Sequence, residues 1–326
     1  MKHYYPSYYE KFRCIAASCP DSCCQGWDVV IDCETESFYN SVKGDFGERL
    51  RKAIYTDSDG DRVFHLADEK KCPFWGNDKL CEIYKELGEE HLCDTCAHFP
   101  RLTLEFEDFC EHSLALACPE AARLILTTDD AYKAFTHMHG SGCEDYTSPE
   151  IKLMLNSRSE FSKLLGSGKP LCERLFDCVD YGKEVQKQLD GQEYTPEAIF
   201  RPEALAQLFS ELEYIEEVNR KMIVSACRKA DFSGQEAELG RLALYYLYRY
   251  YLSAVITRDV SAVIAHMVVS LVVISNLARE NGLSITDAAQ KYSKETEQSY
   301  ENMELLTDAF AFDLNFCADN LKKLIG

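Results

Sequence analysis

Sixteen cysteines stand in this chain of 326 residues, and where they stand constrains its folding more than any other feature. Eleven lie in residues 1–118 and five in the remaining 208. Cysteine used as a small core hydrophobe has no reason to crowd one third of a chain. The isolated Cys143, Cys172, Cys178, Cys227 and Cys317 fit that use, whereas two early runs do not. The first reads Cys14-x4-Cys19-x3-Cys23-Cys24, and the second reads Cys72-x8-Cys81-x11-Cys93-x2-Cys96. Thiolates bind soft or borderline metals, and four around one centre suit zinc or an iron–sulfur cluster. Close spacing lets one loop supply two ligands, and the second run closes the site from across the fold. Cys93-x2-Cys96 alone would also suit a redox pair, but it has too many thiol neighbours for that. Metal binding is therefore preferred to unligated structural thiols and to disulfide exchange. The candidate ligands are Cys14, Cys19, Cys23, Cys24, Cys81, Cys93 and Cys96, with Cys72 in the same run.

Irregular spacings and a surplus of thiols favour an iron–sulfur cluster, 4Fe–4S in type, because each ligand meets a different iron. Zinc is the alternative. A radical-type cluster motif would need a third cysteine at position 26, where Gly26 stands. Cys118 precedes Pro119-Glu120 at an expected helix start, as a further ligand or as a buried cap. His91 and His98 flank Cys93 and Cys96 and are read as supporting residues in preference to ligands.

The formal net charge of −20 argues against a nucleic-acid partner, which would call for a basic footprint. It suits a basic partner such as lysine side chains on another protein, or simply solubility. The opening MKHYYPSYYEKF lacks the apolar stretch of a signal peptide, so a cytoplasmic protein with reduced thiols is expected. Val260 to Ala278 reaches membrane-spanning length but carries His266, Asn276 and serines. It is read as a buried core helix, with no membrane involved.

The fold class expected is mainly α: an irregular cysteine-rich part over 1–125 with few short strands, then a helical bundle over 126–326. The two could form one continuous globule. DVVID (28–32) and RVFHLAD (62–68) are candidate strands, and Asp59-Gly60 is a turn signal. Helix starts are expected at Pro119-Glu120, Ser148-Pro149-Glu150 and Thr195-Pro196-Glu197, and Ser284 with Asp287 resembles a capping box. Gly282 suits the end of the helix before it. Helical periodicity runs over 203–226, 236–256, 261–279 and 284–310. The glycines of 140–195 mark a linker or loop between the two parts.

Residues 12–32, FRCIAASCPDSCCQGWDVVID, resemble the opening of the flagellin lysine N-methylases of the FliB type. So do CPFW (72–75), LCEIYKELGEEHLCDTCAHFPR (80–101) and SLALACPEAARLI (113–125). The same segments are similar to a broader cysteine-rich family that binds an iron–sulfur or zinc centre, although here the first spacing is C-x4-C-x3-CC where that family often has C-x2-C-x2-CC. The resemblance implies an enzyme that moves a methyl group from S-adenosylmethionine to lysine amines of a flagellin-like protein, with a cysteine-held cluster. The non-enzymatic alternative is an iron–sulfur or zinc interaction or redox module.

That chemistry needs a neutral lysine, since the free amine has a pKa of about 10.4, and it needs aromatic faces or carboxylates for the donor's sulfonium. No G-x-G follows a convincing strand, so the donor pocket is not that of a doubly wound methyltransferase. Gly166-Ser167-Gly168-Lys169 reads as a turn. No catalytic or donor-binding residue is assigned.

Overall fold

The computed structural model describes residues 1–27, 29–66, 70–106, 108–132, 136–137, 148–191 and 199–326. The expected Thr195 cap, Cys143, Gly140 and Gly142 lie outside these residues, as do Asp28 and the end of the 62–68 run. The chain is mainly α-helical, with short strands near its beginning.

The first third opens with β1 (Lys2–Tyr5), followed by α1 (Cys33–Ser41) and α2 (Gly44–Ala53). A small hairpin follows, β2 (Ile54–Thr56) and β3 (Arg62–Phe64), turned at the Asp-rich 57–61 loop. Next come the short helices α3 (Glu82–Leu87) and α4 (Asp94–His98), then the hairpin β4 (Arg101–Glu105) and β5 (Phe109–Leu114). Then come α5 (Pro119–Thr127) and β6 (Thr136–His137). One sheet has the order β4-β5-β1-β6. Its centre joins β1 in parallel to β5, with Lys2 opposite Phe109, across more than a hundred residues of chain. The described residues 29–32 of DVVID do not form a strand; Val30 makes an isolated bridge to Val63.

The rest is helical: α6 (Pro149–Leu165), α7 (Leu171–Asp190), α8 (Ala204–Glu211), α9 (Glu217–Ala226), α10 (Glu236–Tyr250), α11 (Ala254–Thr257), α12 (Val260–Asn281), α13 (Ile285–Thr296), α14 (Tyr300–Phe312) and α15 (Ala318–Ile325). Helix starts are set by side chains that accept the first free amides. Ser148, Asp259, Ser284 and Ser299 do this for α6, α12, α13 and α14. Pro119 occupies the first turn of α5, where no amide is needed. Ser284 Oγ accepts from the Asp287 amide and donates to the Asp287 carboxylate, and Gly282 ends α12 in the left-handed region at φ +63°.

Three expectations are corrected. The 203–226 run breaks into α8 and α9, because the intervening backbone has side-chain partners: Asn302 bonds both the amide and the carbonyl of Glu213, and Glu295 accepts from the Ile215 amide. The 284–310 run breaks into α13 and α14 where Ser299 starts a new helix. The glycine-marked stretch holds two long helices; Gly166 and Gly168 form the turn between α6 and α7, and Gly182 packs inside α7 against Ile264.

The larger core surrounds α12, which packs on α7, α9, α10, α13, α14 and α15 and also gathers Tyr8, Phe12, Phe109 and Leu116 from the first third. A smaller core is built from residues 29–93, with Tyr39, Leu50, Phe64, Phe74 and Ile83 fully covered. Helix α12 is long and apolar enough to cross a membrane by length and composition, and 89% of its most apolar window is buried in this core. Leu271 is completely buried on α12. Leu271→Ala is expected to lower unfolding free energy by about 2–5 kcal/mol in a urea titration.

Candidate metal centre and adjoining cleft

Two miniature ladders bring the thiols together. The Gly26 amide donates to the Lys70 carbonyl at 3.0 Å and the Cys72 amide to the Cys24 carbonyl at 2.8 Å, with Gln25 bridged to Lys71 between them. This antiparallel pairing sets Cys24 beside Cys72. A turn over 76–80 folds the chain back, and the Glu82 amide bonds the Phe74 carbonyl. Trp75 thereby pairs with Cys81. Cys81 then sits immediately before α3, and Cys93 immediately before α4, which carries Cys96.

Asp32 fastens this arrangement. One carboxylate oxygen caps α1 through the Thr35 amide at 2.8 Å, and the other accepts from the Asp94 amide at 3.0 Å. Burial pushes its carboxyl up, but those two amides outweigh it and hold it below its ordinary value. A depressed carboxyl adds stability that is present above the unfolded pKa of about 3.9 and is lost as pH falls through the lower folded value. Asp32→Ala is expected to lower stability at pH 7 by about 1–2 kcal/mol, read from the urea midpoint, with the deficit closing in acid.

Six thiols share one neighbourhood: Cys23, Cys24, Cys72, Cys81, Cys93 and Cys96. Four of them form two hydrogen-bonded pairs, Cys23 with Cys24 and Cys93 with Cys96. Cys24 is pushed far above the ordinary thiol range by its bond to Cys23, then by burial and by the nearby Cys23, Cys72 and Cys81 sulfurs. Cys23 is held down to about 7 by the same bond, against burial, with help from the Lys294 ammonium. Cys96 is raised by its bond to Cys93 and by burial, with Cys24 and Cys72 also close; Cys93 is lowered by that bond. Burial pushes Cys72 up to about 12, and Cys81, Cys93 and Cys23 add to the shift. Burial also raises Cys81. Cys72 and Cys93 are buried, while Cys23 and Cys96 keep surface open to solvent.

Of the other candidate ligands, Cys14 is exposed and accepts a bond from the Ala16 amide at 3.4 Å. Cys19 lies between Cys14 and Cys23, at the edge of the set. Cys118 is half-buried beside Cys19 and Cys23, and burial pushes its thiol up to about 12. His91 stacks on Phe38 at 3.9 Å, and a His98 ring nitrogen bonds the Asp94 carbonyl at 2.8 Å. Cys72 belongs to the second cysteine run but not to the candidate ligands of the sequence, and the structure seats it among them. The signal for it was the extended CPFW stretch, which can pair with another extended segment.

An all-sulfur donor set from four chain segments has the chemistry of a soft-metal or iron–sulfur site. Among the described residues, however, no three His, Cys, Asp or Glu side chains are spaced to hold an ion as they stand, and no cysteine is bridged to another.

Helix α13 clasps the first cysteine loop. Lys294 Nζ donates to Asp21 Oδ1 at 2.6 Å and to the Ser22 carbonyl at 3.1 Å. Gln290 Nε2 donates to Asp21 Oδ2 at 2.7 Å and to the Ala117 carbonyl at 2.9 Å. Gly26 lies against the α8–α9 connection; a Cβ there would stand 2.2 Å from Ile215 Cδ1, and its φ of +109° favours glycine independently. A cleft of about 260 Å³ opens between this loop, the start of α5, α9 and α13.

No family model matches the chain, and no solved structure matches it. Curated relatives do. It is 31% identical over 134 residues to a lysine-N-methylase of Salmonella typhimurium strain LT2, covering 39% of this chain and 33% of that protein. A lysine-N-methylase of Salmonella choleraesuis is 31% identical over 138 residues, with the same two coverages. The flagellar biosynthetic protein FliU of Salmonella muenchen is 30% identical over 138 residues, covering 39% of this chain and 78% of that protein. The chain thus matches about a third of the length of the two lysine-N-methylases but most of FliU. Taken with a chain that is mainly α-helical and whose early cysteines converge, that kinship places it in the family of FliU and the FliB-type lysine-N-methylases.

Proposed function

We propose that this protein is a lysine N-methyltransferase that uses S-adenosylmethionine, carries a cysteine-held iron–sulfur cluster and acts on a flagellin-like protein. The observation that carries the reading is the kinship to lysine-N-methylases, joined to six thiols that meet in one place. Four thiolates drawn from Cys23 or Cys24, Cys72, Cys81, Cys93 and Cys96 would hold the cluster. Neighbours in sequence rarely both reach one centre, so one of Cys23 and Cys24 stands behind the other. When bound, such a cluster ties distant segments together and can carry an electron.

The chain's own residues do the rest. Asp32 and the two ladders fix the ligand-bearing segments, and Lys294 places a positive charge beside Cys23, favouring its thiolate. Asp21, Gln290 and Lys294 hold the first cysteine loop against α13, joining the thiols to the helical half. The net charge of −20 steers basic protein surfaces toward the enzyme.

The test is to purify the protein anaerobically and supply methyl-labelled S-adenosylmethionine with flagellin, then map label by mass spectrometry. Methyl-lysine on flagellin is the expected result. No label, together with no calorimetric binding of the donor by metal-loaded protein, would overturn the reading. Brown protein with a broad visible band identifies iron–sulfur, and colourless protein with stoichiometric zinc identifies the other metal.

A further inference from the structure

We propose that the cleft beside the thiol loop receives the lysine-bearing segment of the protein substrate, with Glu216 and Asp287 at its rim drawing the cation in. The identity of the guest rests on the methyltransferase reading, and its place rests on the cleft. At about 260 Å³ the cleft holds a long side chain with its backbone; pockets for drug-sized molecules begin at roughly 300 Å³.

Its charges are arranged in two zones. On the inner wall the polar groups already have partners: Lys294 with Asp21, Lys291 with Asn219 at 2.9 Å, and Glu295 accepting from the Ile215 amide and Asn219. At the rim, Glu216 is exposed and has no ion pair among the described residues. Asp287 is exposed too and is engaged by Ser284 through Oδ2. An entering ammonium therefore meets carboxylates without having to break an existing ion pair. An anion would meet the same carboxylates and lysines that are already bound.

No aromatic ring lines the cleft, so a nucleoside-bearing methyl donor finds nothing there to stack on. The lining residues Pro20 and Asp21 lie between Cys19 and Cys23, and Pro119 follows Cys118. A guest in the cleft thus reaches the edge of the thiol set.

The test uses a fluorescein-labelled dodecapeptide of alanine, serine and glutamine with one central lysine, and the same peptide with norleucine in its place. Anisotropy is followed on the full, metal-loaded chain. The lysine peptide is expected to bind saturably below about 1 mM, the usual upper range for enzyme substrates. Norleucine is expected to weaken it about tenfold. Glu216→Lys is expected to do the same at low salt, and the difference should shrink in 0.5 M NaCl, where the Debye length falls to a few Å. Thr286→Arg, which fills the cleft from a different position, is expected to act likewise. Circular dichroism and metal content check that both variants fold.

Equal binding to wild type and both variants overturns the proposal. So does equal binding of the norleucine peptide, or no saturable binding to wild type. Binding that the variants lose, with no methyl transfer by wild type, upholds the cleft and overturns the methyltransferase reading instead.

Discussion

If the protein is the cluster-bearing methyltransferase proposed above, serine in place of Cys72, Cys81 or Cys96, one at a time, is expected to strip it of most of its bound metal and of lysine methylation. Each of these sulfurs lies in the shared neighbourhood, and each comes from a different stretch of chain. A serine hydroxyl is a poor substitute, because it keeps its proton at neutral pH and is a hard donor where the set is soft. Ligation of a structural metal is worth about 10–16 kcal/mol in small zinc domains, so a lost ligand should also lower the unfolding temperature steeply. Segments 24–26 and 70–72 are joined by a short ladder, and an isolated two-stranded pairing has little cohesion of its own. Metal content by plasma mass spectrometry and the visible spectrum supply the readout. Cys317→Ser, far along the chain in the helical half, should keep both. Full metal in all three variants would show that the convergence is only packing.

Glu111→Ala is expected to destabilise the fold by about 3–5 kcal/mol. Glu111 on β5 and Arg158 on α6 meet in a two-pronged pair, both contacts at 2.6 Å, and each side chain is more than nine-tenths covered. The guanidinium also lies 4.7 Å from the centre of the Tyr248 ring. Removing the carboxylate takes the opposite charge away from a buried cation that water reaches poorly. The charges themselves need not be stabilising: Glu111→Leu combined with Arg158→Met should recover most of the loss. Chemical denaturation of the two variants distinguishes the cost of stranding from the worth of the pair. A single variant as stable as wild type would mean the arginine finds water.

What could be read from the residues was whatever is local. Ser148, Ser284 and Gly282 announce helix ends because a cap needs only its own side chain or its own φ. Pro119 does so for the same reason. The parallel pairing of β1 with β5 could not be seen, since KHYY is too short for any period and its partner is a hundred residues away. The breaks at 212–216 and 297–299 were also hidden. The 203–226 run stays apolar at helical spacing through its break, and what interrupts it is the Asn302 and Glu295 side chains from two distant helices, α14 and α13. Glycines misled in the other direction: Gly182 is a packing residue inside α7, where Ile264 needs the room.

At the site, the two cysteine runs were legible as partners because thiols cluster for chemistry. The ladder that seats Cys24 against Cys72 was not, nor was the clasp of Asp21 by Gln290 and Lys294.

Helix α12 has a consequence for synthesis. It leaves the ribosome before α13, α14 and α15, the three later helices that cover it. Until they arrive, the nascent chain displays an apolar segment that insertion machinery could take for a span, since recognition there reads hydropathy and not eventual burial. Truncations that end shortly after residue 281 would keep that display permanently and should be drawn to membranes, chaperones or proteases. The last forty-odd residues thus act as a molecular overcoat for the one before them.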